Sequence, residues 1–318
     1  MAAVFLTTTF KVTNNNPQAL RNFDLIVDLA RHDLQKQHHV VDCPNKADIV
    51  LFISDKRYYH SGIYCSEIFK EYADKCLVFD FHDRTIPRIP GLYATIPAYL
   101  HSYPIYEYGF YPYNYGCFDL DAAIDSFSGY KYLFSFIGSV NTYPNLRSEV
   151  VNLVHPRSYL KDTSNGGSVE IFSDVLINSK FILCPRGIAP STIRAFEAMR
   201  AGRVPVIIAD EWRENIIDGD WKEFSIRIDE KDVRLIPNIL ETLEPRAVEM
   251  GRKARLAWEK NFSINHGFNW LVETCLRIQN SRADYKHILS RKVYLETLGT
   301  HHFIPFWKEF ILRRMGRI

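Results

Sequence analysis

The stretch KFILCPRGIAPSTIRAFEAMRAGRVPVIIAD, from Lys180 to Asp210, decides the fold of this chain. It begins with an apolar run suited to a buried strand, and a second such run spans residues 204–209. Between the two runs, Pro190 marks the start of a short helix and Gly202 marks its end. A strand, a helix and a second strand in this order predict one parallel βαβ unit.

The polar turn Pro185-Arg186-Gly187 follows the first strand of this unit. Ligands of open α/β sheets bind at the carboxyl ends of the strands, and the N-terminus of the next helix offers N–H groups and a positive dipole end that suit a phosphate. Arg186 and Arg194 add positive charge there. Ser191 and Thr192 add hydroxyl groups, although both residue types are equally typical of plain N-caps. The turn and the helix start together predict a nucleotide diphosphate site.

Glu197 lies one turn further along the same helix, where its carboxylate is an acceptor for the two hydroxyls of a ribose. A competing interpretation is an ordinary ion pair on the helix face, because Arg194 and Arg200 each lie three residues away. Such a pair would stabilise the helix by only about 0.2 to 0.5 kcal/mol. Spacing alone does not separate the two interpretations.

The motif C-P-R-G, followed by P-S-T-x-R-x-x-E-A-M-R-A-G-x-V-P-V, resembles the signature of the exostosin family of glycosyltransferases. The segment YLFSFIGSVNTYPNLR at residues 132–147 resembles the family's strand, glycine loop and arginine. Residues 220–225, followed by 232–233, resemble the segment after the signature. The resemblance covers roughly residues 130–260, whereas the first 125 residues share only the alternation of strands and helices.

This resemblance implies an α/β fold of the GT-B type, in which two Rossmann-like parallel-sheet domains face each other across a cleft. We expect an N-terminal acceptor-side domain at residues 1–125, a nucleotide-sugar-binding domain at 126–282, and a helical tail at 283–318 that crosses back onto the first domain. The implied activity is inverting transfer of a sugar, most simply from a UDP-linked donor, to a glycan or glycolipid acceptor in polysaccharide synthesis. One alternative is an inactive GT-B relative that binds nucleotide sugars or acts as a scaffold. The other is a different nucleotide-using transferase such as a sulfotransferase, but the expected phosphate-binding loop does not appear near the N-terminus of this sequence.

Arginines are the residues expected to meet the charge of the leaving diphosphate in a metal-free site. A guanidinium binds phosphate oxygens in pairs and stays charged, so Arg147 joins the two arginines of the signature as a candidate. The resemblance also favours the ribose role for Glu197. The predicted donor-binding set is Gly138, Arg147, Arg186, Gly187, Ser191, Thr192, Arg194 and Glu197.

No metal site is expected. Asp119-Leu120-Asp121 has the D-x-D spacing of a manganese motif, but its place near the presumed domain junction favours a helix cap at Asp121. The pairs His38-His39 and His301-His302 lack a partner at ligand spacing and are predicted to lie on the surface. No cofactor is expected beyond the nucleotide-sugar donor itself.

The catalytic base is the least defined part of the prediction. An acceptor hydroxyl commonly gives its proton to a carboxylate or a histidine. His82 and Asp83 follow a predicted strand in the first half, so both are candidates, although Asp is also common in turns after strands because it bonds to the backbone.

Residues 98–115 are rich in tyrosine and proline, and their apolar residues fit neither the helix period nor the strand period. We interpret them as an irregular segment that stacks on sugars or, with equal weight, as tyrosines that cover an ordinary core.

Composition excludes several classes of protein. The net charge of +2 and ordinary apolar content indicate a globular protein with no general affinity for nucleic acid. No apolar stretch approaches the length of a membrane span, and the first residues lack a leader pattern, so we expect a cytoplasmic protein. Residues 303–318 place aromatic side chains on one broad face. This predicts a helix that docks onto the first domain or, as the alternative, makes peripheral contact with an anionic membrane.

Overall fold

The computed structural model describes residues 1–8, 17–54, 61–83, 85–101, 105–111, 128–166 and 170–281, together with residues 311 and 315. The chain divides into two compact units. Unit 1 contains Met1–Pro112 and the segment from Ile264 onward, and unit 2 contains Tyr113–Ser263. The D-x-D motif, His301-His302 and almost all of the predicted tail lie outside the described residues.

Unit 1 contains a sheet in which every described strand pairs in parallel. The strands are β1 (Ala3–Thr7), β2 (His39–Val40), β3 (Ile49–Ser54), β4 (Cys76–Asp80), β5 (Gly91–Tyr93) and β6 (Tyr106–Tyr108), in the order β2-β1-β3-β4-β5-β6. The helices before unit 2 are α1 (Pro17–His32), α2 (Ser61–Cys65) and α3 (Glu67–Tyr72). Strands β3 and β4 are buried along their whole length, as expected for central strands covered on both faces.

Gly91 begins β5 at a position that only glycine tolerates. It pairs with Val78 of β4 and has a φ of 156°. A Cβ atom at this position would lie 2.0 Å from the carbonyl oxygen of Val78. The two backbones can approach this closely because glycine has no Cβ atom.

Unit 2 contains a second all-parallel sheet. Its strands are β7 (Tyr132–Gly138), β8 (Ser158–Asp162), β9 (Ser179–Pro185), β10 (Val204–Ile208) and β11 (Ile226–Arg227), in the order β11-β10-β9-β7-β8. Read from the other edge and counted along the unit, this is the doubly wound order 2-1-3-4-5. The topological switch point, where such sheets bind ligands, therefore lies between β7 and β9.

The helices of unit 2 cover this sheet and enclose its core. They are α4 (Pro144–Val151), α5 (Glu170–Ile177), α6 (Ile193–Arg200), α7 (Ile236–Leu243) and α8 (Ala247–Asn261). Gly202 has a φ of 66° just after α6, so it ends this helix as predicted. Two apolar strands, β7 and β9, supply the fully buried Phe134 and Phe181 to the core. The GT-B prediction of two Rossmann-like parallel-sheet units is confirmed.

A group of ion pairs connects the C-terminal end of α7 to the sheet of unit 2. Arg157 donates two hydrogen bonds of 2.6 Å to the two carboxylate oxygens of Glu244, and Lys180 donates one of 2.7 Å. These hydrogen bonds lower the pKa of Glu244 to about 2. The carboxylate therefore stays charged well into acidic solution.

Helix α9 (Gly267–Ser281) returns to unit 1, although we predicted residues up to 282 to belong to the second domain. Its apolar face packs on β5 and β6, where Trp270 meets the ring of Phe110 edge-on with the centroids 5.5 Å apart. Its polar side reaches His38, whose Nε2 lies 3.0 Å from Oε1 of Glu273. His38 also accepts the backbone N–H of Ala2. The prediction that His38 lies on the surface is therefore wrong, because it is 7% exposed.

The tyrosine-rich segment was predicted to be irregular, but part of it forms strand β6 at the edge of the sheet. Among its described aromatic residues, Tyr106, Tyr108, Phe110 and Tyr111 are at most 5% exposed, whereas Tyr99 is 45% exposed. Of the two interpretations offered above, the structure supports an ordinary core for these rings. Within the described residues, we find no helix with the length and apolar character needed to span a bilayer.

Candidate functional site

Two loops lie on either side of the switch point of unit 2. Residues Ser139–Thr142 follow β7, and Arg186-Gly187 follow β9. Both loops lie at the carboxyl ends of adjacent parallel strands, the place that doubly wound sheets use for ligands. The sequence predicted both loops as parts of the donor site, and the topology brings them together.

Arg147 ties these two loops to each other. Its Nε donates to the carbonyl oxygen of Arg186 at 2.8 Å, and its two terminal nitrogens donate to the carbonyl oxygens of Ser139 at 2.9 Å and Pro185 at 3.2 Å. The pKa of Arg147 is lowered to about 10, first by burial and then by the neighbouring charge of Arg194. We predicted that Arg147 binds the diphosphate directly. The structure instead favours a bracing role, because three of its five N–H groups are engaged by backbone carbonyls.

Gly138 and Gly187 make room for this brace. A Cβ on Gly138 would lie 2.8 Å from the ring of Phe136 and 3.4 Å from Arg147. A Cβ on Gly187 would lie 3.2 Å from the same guanidinium and 3.4 Å from Oγ1 of Thr142. Both glycines were predicted to contact the donor. The lack of room for a Cβ atom gives both glycines a packing role at the loops that we expect the donor to meet.

Helix α6 begins beside the second loop. Thr192 is its N-cap, and the Thr192 hydroxyl accepts the backbone N–H of Arg194 at 3.3 Å. The plain N-cap interpretation therefore holds for Thr192, while Ser191 is 4% exposed just before the helix. The start of α6 still carries the positive end of a helix dipole toward the carboxyl edge of the sheet.

Arg194 and Glu197 form the ion pair that was the competing interpretation for Glu197. The distance from Nη1 of Arg194 to Oε2 of Glu197 is 2.5 Å, and the Glu197 side chain is 3% exposed. Arg194 also donates to the carbonyl oxygen of Ile137 at 3.0 Å and lies 3.9 Å from the ring centroid of Phe172. Both side chains are thus held by contacts within unit 2, and Arg194 supports the end of β7.

Arg186 differs from the other two arginines because its guanidinium is loosely paired. Nη1 lies 3.6 Å from Glu211 and 3.9 Å from Glu230, and both distances are too long for hydrogen bonds. The guanidinium stacks on the ring of Tyr143 with 4.6 Å to the centroid. Burial raises the pKa of Glu230 above its ordinary value. Of the predicted arginines, Arg186 is therefore the one best placed to exchange its present partners for a phosphate.

Comparison with known families finds a match in the part of the chain that contains these two loops. Residues 122–243 match the family model described as the exostosin GT47 domain. This match covers less than half of the chain, and residues 122–243 are named the exostosin domain after it. The exostosin domain includes β7 to β11 and both loops of the switch point. The family resemblance predicted from the sequence is confirmed.

Relatives of the exostosin domain occur in animals and plants. The chain is 27% identical to exostosin-1 of Drosophila melanogaster over 46% of this chain and 20% of that protein. It is 32% identical to the exostosin-1 homolog of Caenorhabditis elegans over 36% of this chain and 30% of that protein. It is 33% identical to a probable β-1,4-xylosyltransferase, IRX10L, of Arabidopsis thaliana, over 33% and 22%. The chain thus spans less than a third of each of these relatives.

Similarity to solved structures extends over most of the chain but is weak. WaaG, a glycosyltransferase involved in lipopolysaccharide biosynthesis, aligns over 89% of this chain and 98% of its own with 11% identity and a TM-score of 0.37.

Sequence reasoning missed Asp162, which organises the first loop of the exostosin domain. Its Oδ1 accepts the backbone N–H of Val140 at 3.0 Å and the hydroxyl of Ser164 at 2.6 Å. These bonds, led by that of the Ser164 hydroxyl, lower the pKa of Asp162. The pattern Asp-x-Ser is a signal that could have found this turn, because Asp side chains bond to the backbone two residues on.

The predicted base candidates lie outside the exostosin domain, in unit 1. His82 and Asp83 follow β4, as the sequence predicted. The backbone N–H of His82 donates to Oδ1 of buried Asp80 at 2.8 Å, and its carbonyl oxygen accepts the hydroxyl of Thr95 at 3.0 Å. Asp83 is exposed. The loop is therefore firmly held, and the catalytic role of its two side chains stays a prediction.

Proposed function

We propose that this protein is a glycosyltransferase that moves a sugar from a nucleotide diphosphate donor, most simply a UDP-sugar, to a glycan or glycolipid acceptor. The observation that carries the proposal is the pair of loops at the switch point of the exostosin domain, braced by Arg147. Ligands of such sheets bind at this point, and the sequence of these loops matches a glycosyltransferase family. In this proposal the protein acts in the cytoplasm, with the C-terminal segment as the part that would meet a membrane.

The proposed chemistry assigns a separate task to each part of the donor site. Arg186 and the N-terminus of α6 bind the diphosphate and stabilise the negative charge that grows on it as the sugar leaves. Arg147 and the Arg194–Glu197 pair hold the two loops in place before the donor arrives. The acceptor oxygen attacks the sugar from the side opposite the diphosphate, which inverts the anomeric centre. His82 or Asp83 would take the acceptor proton.

Thermal shift with the full chain tests donor binding. A ligand present at about 100 times its dissociation constant should stabilise the protein by about 2.7 kcal/mol. We expect UDP and one or more UDP-sugars to raise the melting temperature, and Arg186→Ala to weaken their binding at least about tenfold, because a hydrogen bond to a charged group is lost. Arg252→Ala, on the exposed side of α8, is the matched control.

Product analysis then tests turnover. Release of UDP from the selected donor, with transfer of the sugar to an acceptor, would support the proposal. Donor binding without either hydrolysis or transfer would favour the alternative of an inactive binding protein. We also expect transfer to continue in the presence of a chelator, and its complete loss there would contradict the metal-free mechanism.

A further inference from the structure

A second polar site lies in unit 1. Glu107, in the middle of edge strand β6, points toward Arg277 of α9 and toward His101 in the turn before β6. The Glu107 side chain is 4% exposed, whereas those of His101 and Arg277 are 21% and 32% exposed. The carboxylate therefore lies at the base of a small cluster in which the side chains of His101 and Arg277 are partly exposed.

The polar atoms of this cluster face each other without bonding. Nε2 of His101 lies 3.9 Å from Oε2 of Glu107, and Nε of Arg277 lies 3.9 Å from Oε1. Within the described part of the chain, Nε2 of His101, Oε1 of Glu107 and Nε of Arg277 are all buried and none has a hydrogen-bond partner. Buried polar groups are almost always paired in folded proteins, so three such atoms at one place indicate a missing partner.

The chemistry of the three atoms defines that partner. A carboxylate oxygen only accepts hydrogen bonds, the Nε of an arginine only donates, and a histidine nitrogen does either according to its tautomer. An anion would be repelled by Glu107, and a cation would be repelled by Arg277. A neutral hydroxyl group satisfies all three, because it donates to the carboxylate while its oxygen accepts from the nitrogens.

The surroundings of the cluster fit a carbohydrate hydroxyl. His101 is held in place by stacking on Tyr108, with the ring centroids 4.8 Å apart and the rings 14° from parallel. Tyr99 lies in the same turn and is 45% exposed. An exposed aromatic ring near hydrogen-bonding groups suits a sugar, whose CH groups pack on the ring face while its hydroxyls bond alongside.

We propose that Glu107, His101 and Arg277 form a binding site for a hydroxyl group of a neutral sugar. Holding part of an acceptor is the use that the proposed transferase would make of this site, and in that use the inference rests on the proposed function. The binding itself requires only the residues of unit 1. Its failure is therefore distinguishable from failure of donor binding in unit 2.

Ligand-observed saturation-transfer NMR on the full chain tests the site. The probes are the methyl glycosides of glucose, galactose, xylose and N-acetylglucosamine, with glucuronate as the charged comparator. We expect at least one neutral glycoside to bind, and both Glu107→Gln and His101→Phe to weaken it about tenfold, since each leaves a hydroxyl without one buried partner. His101→Phe keeps a ring on Tyr108, so it removes the nitrogen without removing the stacking. Glu67→Gln, an exposed carboxylate in unit 1, is the control.

UDP affinity, measured on the same samples by thermal shift, separates the two proposals, because these variants should bind UDP as the parent chain does. The inference is overturned if no neutral glycoside binds the folded parent chain, which would mean that the cluster holds an ordered water only. Tighter binding of glucuronate than of any neutral glycoside, or unchanged binding in both variants, would also overturn it. If Glu107→Gln does not fold, His101→Phe decides the outcome.

Discussion

Replacement of Arg147 by methionine tests whether this residue holds the two loops together or binds the phosphate directly. The change keeps most of the side-chain volume and removes three hydrogen bonds, of 2.8, 2.9 and 3.2 Å, to the carbonyl oxygens of the two switch-point loops. If each bond contributes about 1 kcal/mol, the loss is about 3 kcal/mol. For a cooperative unit of 150 to 250 residues this corresponds to a fall in melting temperature of about 6 to 12 °C. Differential scanning calorimetry without ligand measures it.

The same substitution should weaken UDP binding as a consequence of the loosened loops. Arg147→Lys decides between the two roles, because lysine keeps the charge but cannot reach three carbonyl groups at once. A brace predicts that lysine restores neither stability nor affinity. An unchanged melting temperature in Arg147→Met, with UDP affinity lost there and recovered in Arg147→Lys, would refute the bracing role and restore the direct phosphate contact. Arg252→Met serves as the control for a surface arginine.

Three further substitutions test separate parts of the fold. Gly91→Ala should lower the free energy of unfolding by about 3 kcal/mol in urea titration, because its Cβ meets a backbone carbonyl; a change within experimental error would show that the two strands can separate at low cost. Glu197→Ala should cost about 3 kcal/mol, since it leaves the charge of Arg194 without its buried partner, and loss of UDP affinity at unchanged stability would instead support the ribose role. For Glu244, the folded pKa of about 2 lies below the ordinary 4.5, so its stabilisation is complete above pH 4.5 and is lost as the pH falls toward 2. The difference in melting temperature between the parent chain and Glu244→Gln should therefore close over that range, and a constant difference would exclude this linkage.

Sequence periodicity was sufficient to locate the strands that are fully buried and the helices that are amphipathic. Strands β9 and β10 are continuous apolar runs, and each was predicted within a residue or two. Strand β8 was missed because it is an edge strand of intermediate exposure, SYLKD, with no apolar run to mark it. Strand β6 was missed because it consists of only three residues, with the sequence YEY, and no local pattern distinguishes them from a loop.

The donor loops could be located from sequence, but the partners of their side chains could not. Motif and strand position placed Arg147, Arg186 and Arg194 at one edge of the sheet. Which guanidinium is engaged by carbonyl oxygens depends on distances between loops that lie about forty residues apart in the sequence, and no spacing rule encodes these. The Glu107 cluster was beyond prediction for the same reason, because Arg277 reaches it only through the return of α9 to unit 1.

The return of α9 affects the order in which the protein can fold. Unit 2 is continuous in the chain, whereas unit 1 is completed only when a helix translated some 150 residues later covers β5 and β6. Domains generally fold as units during synthesis, so the nascent chain must keep its first sheet partly uncovered while the second half assembles. The portion of the molecule made first is thus the last to mature, and chaperone dependence or aggregation during translation should concentrate there.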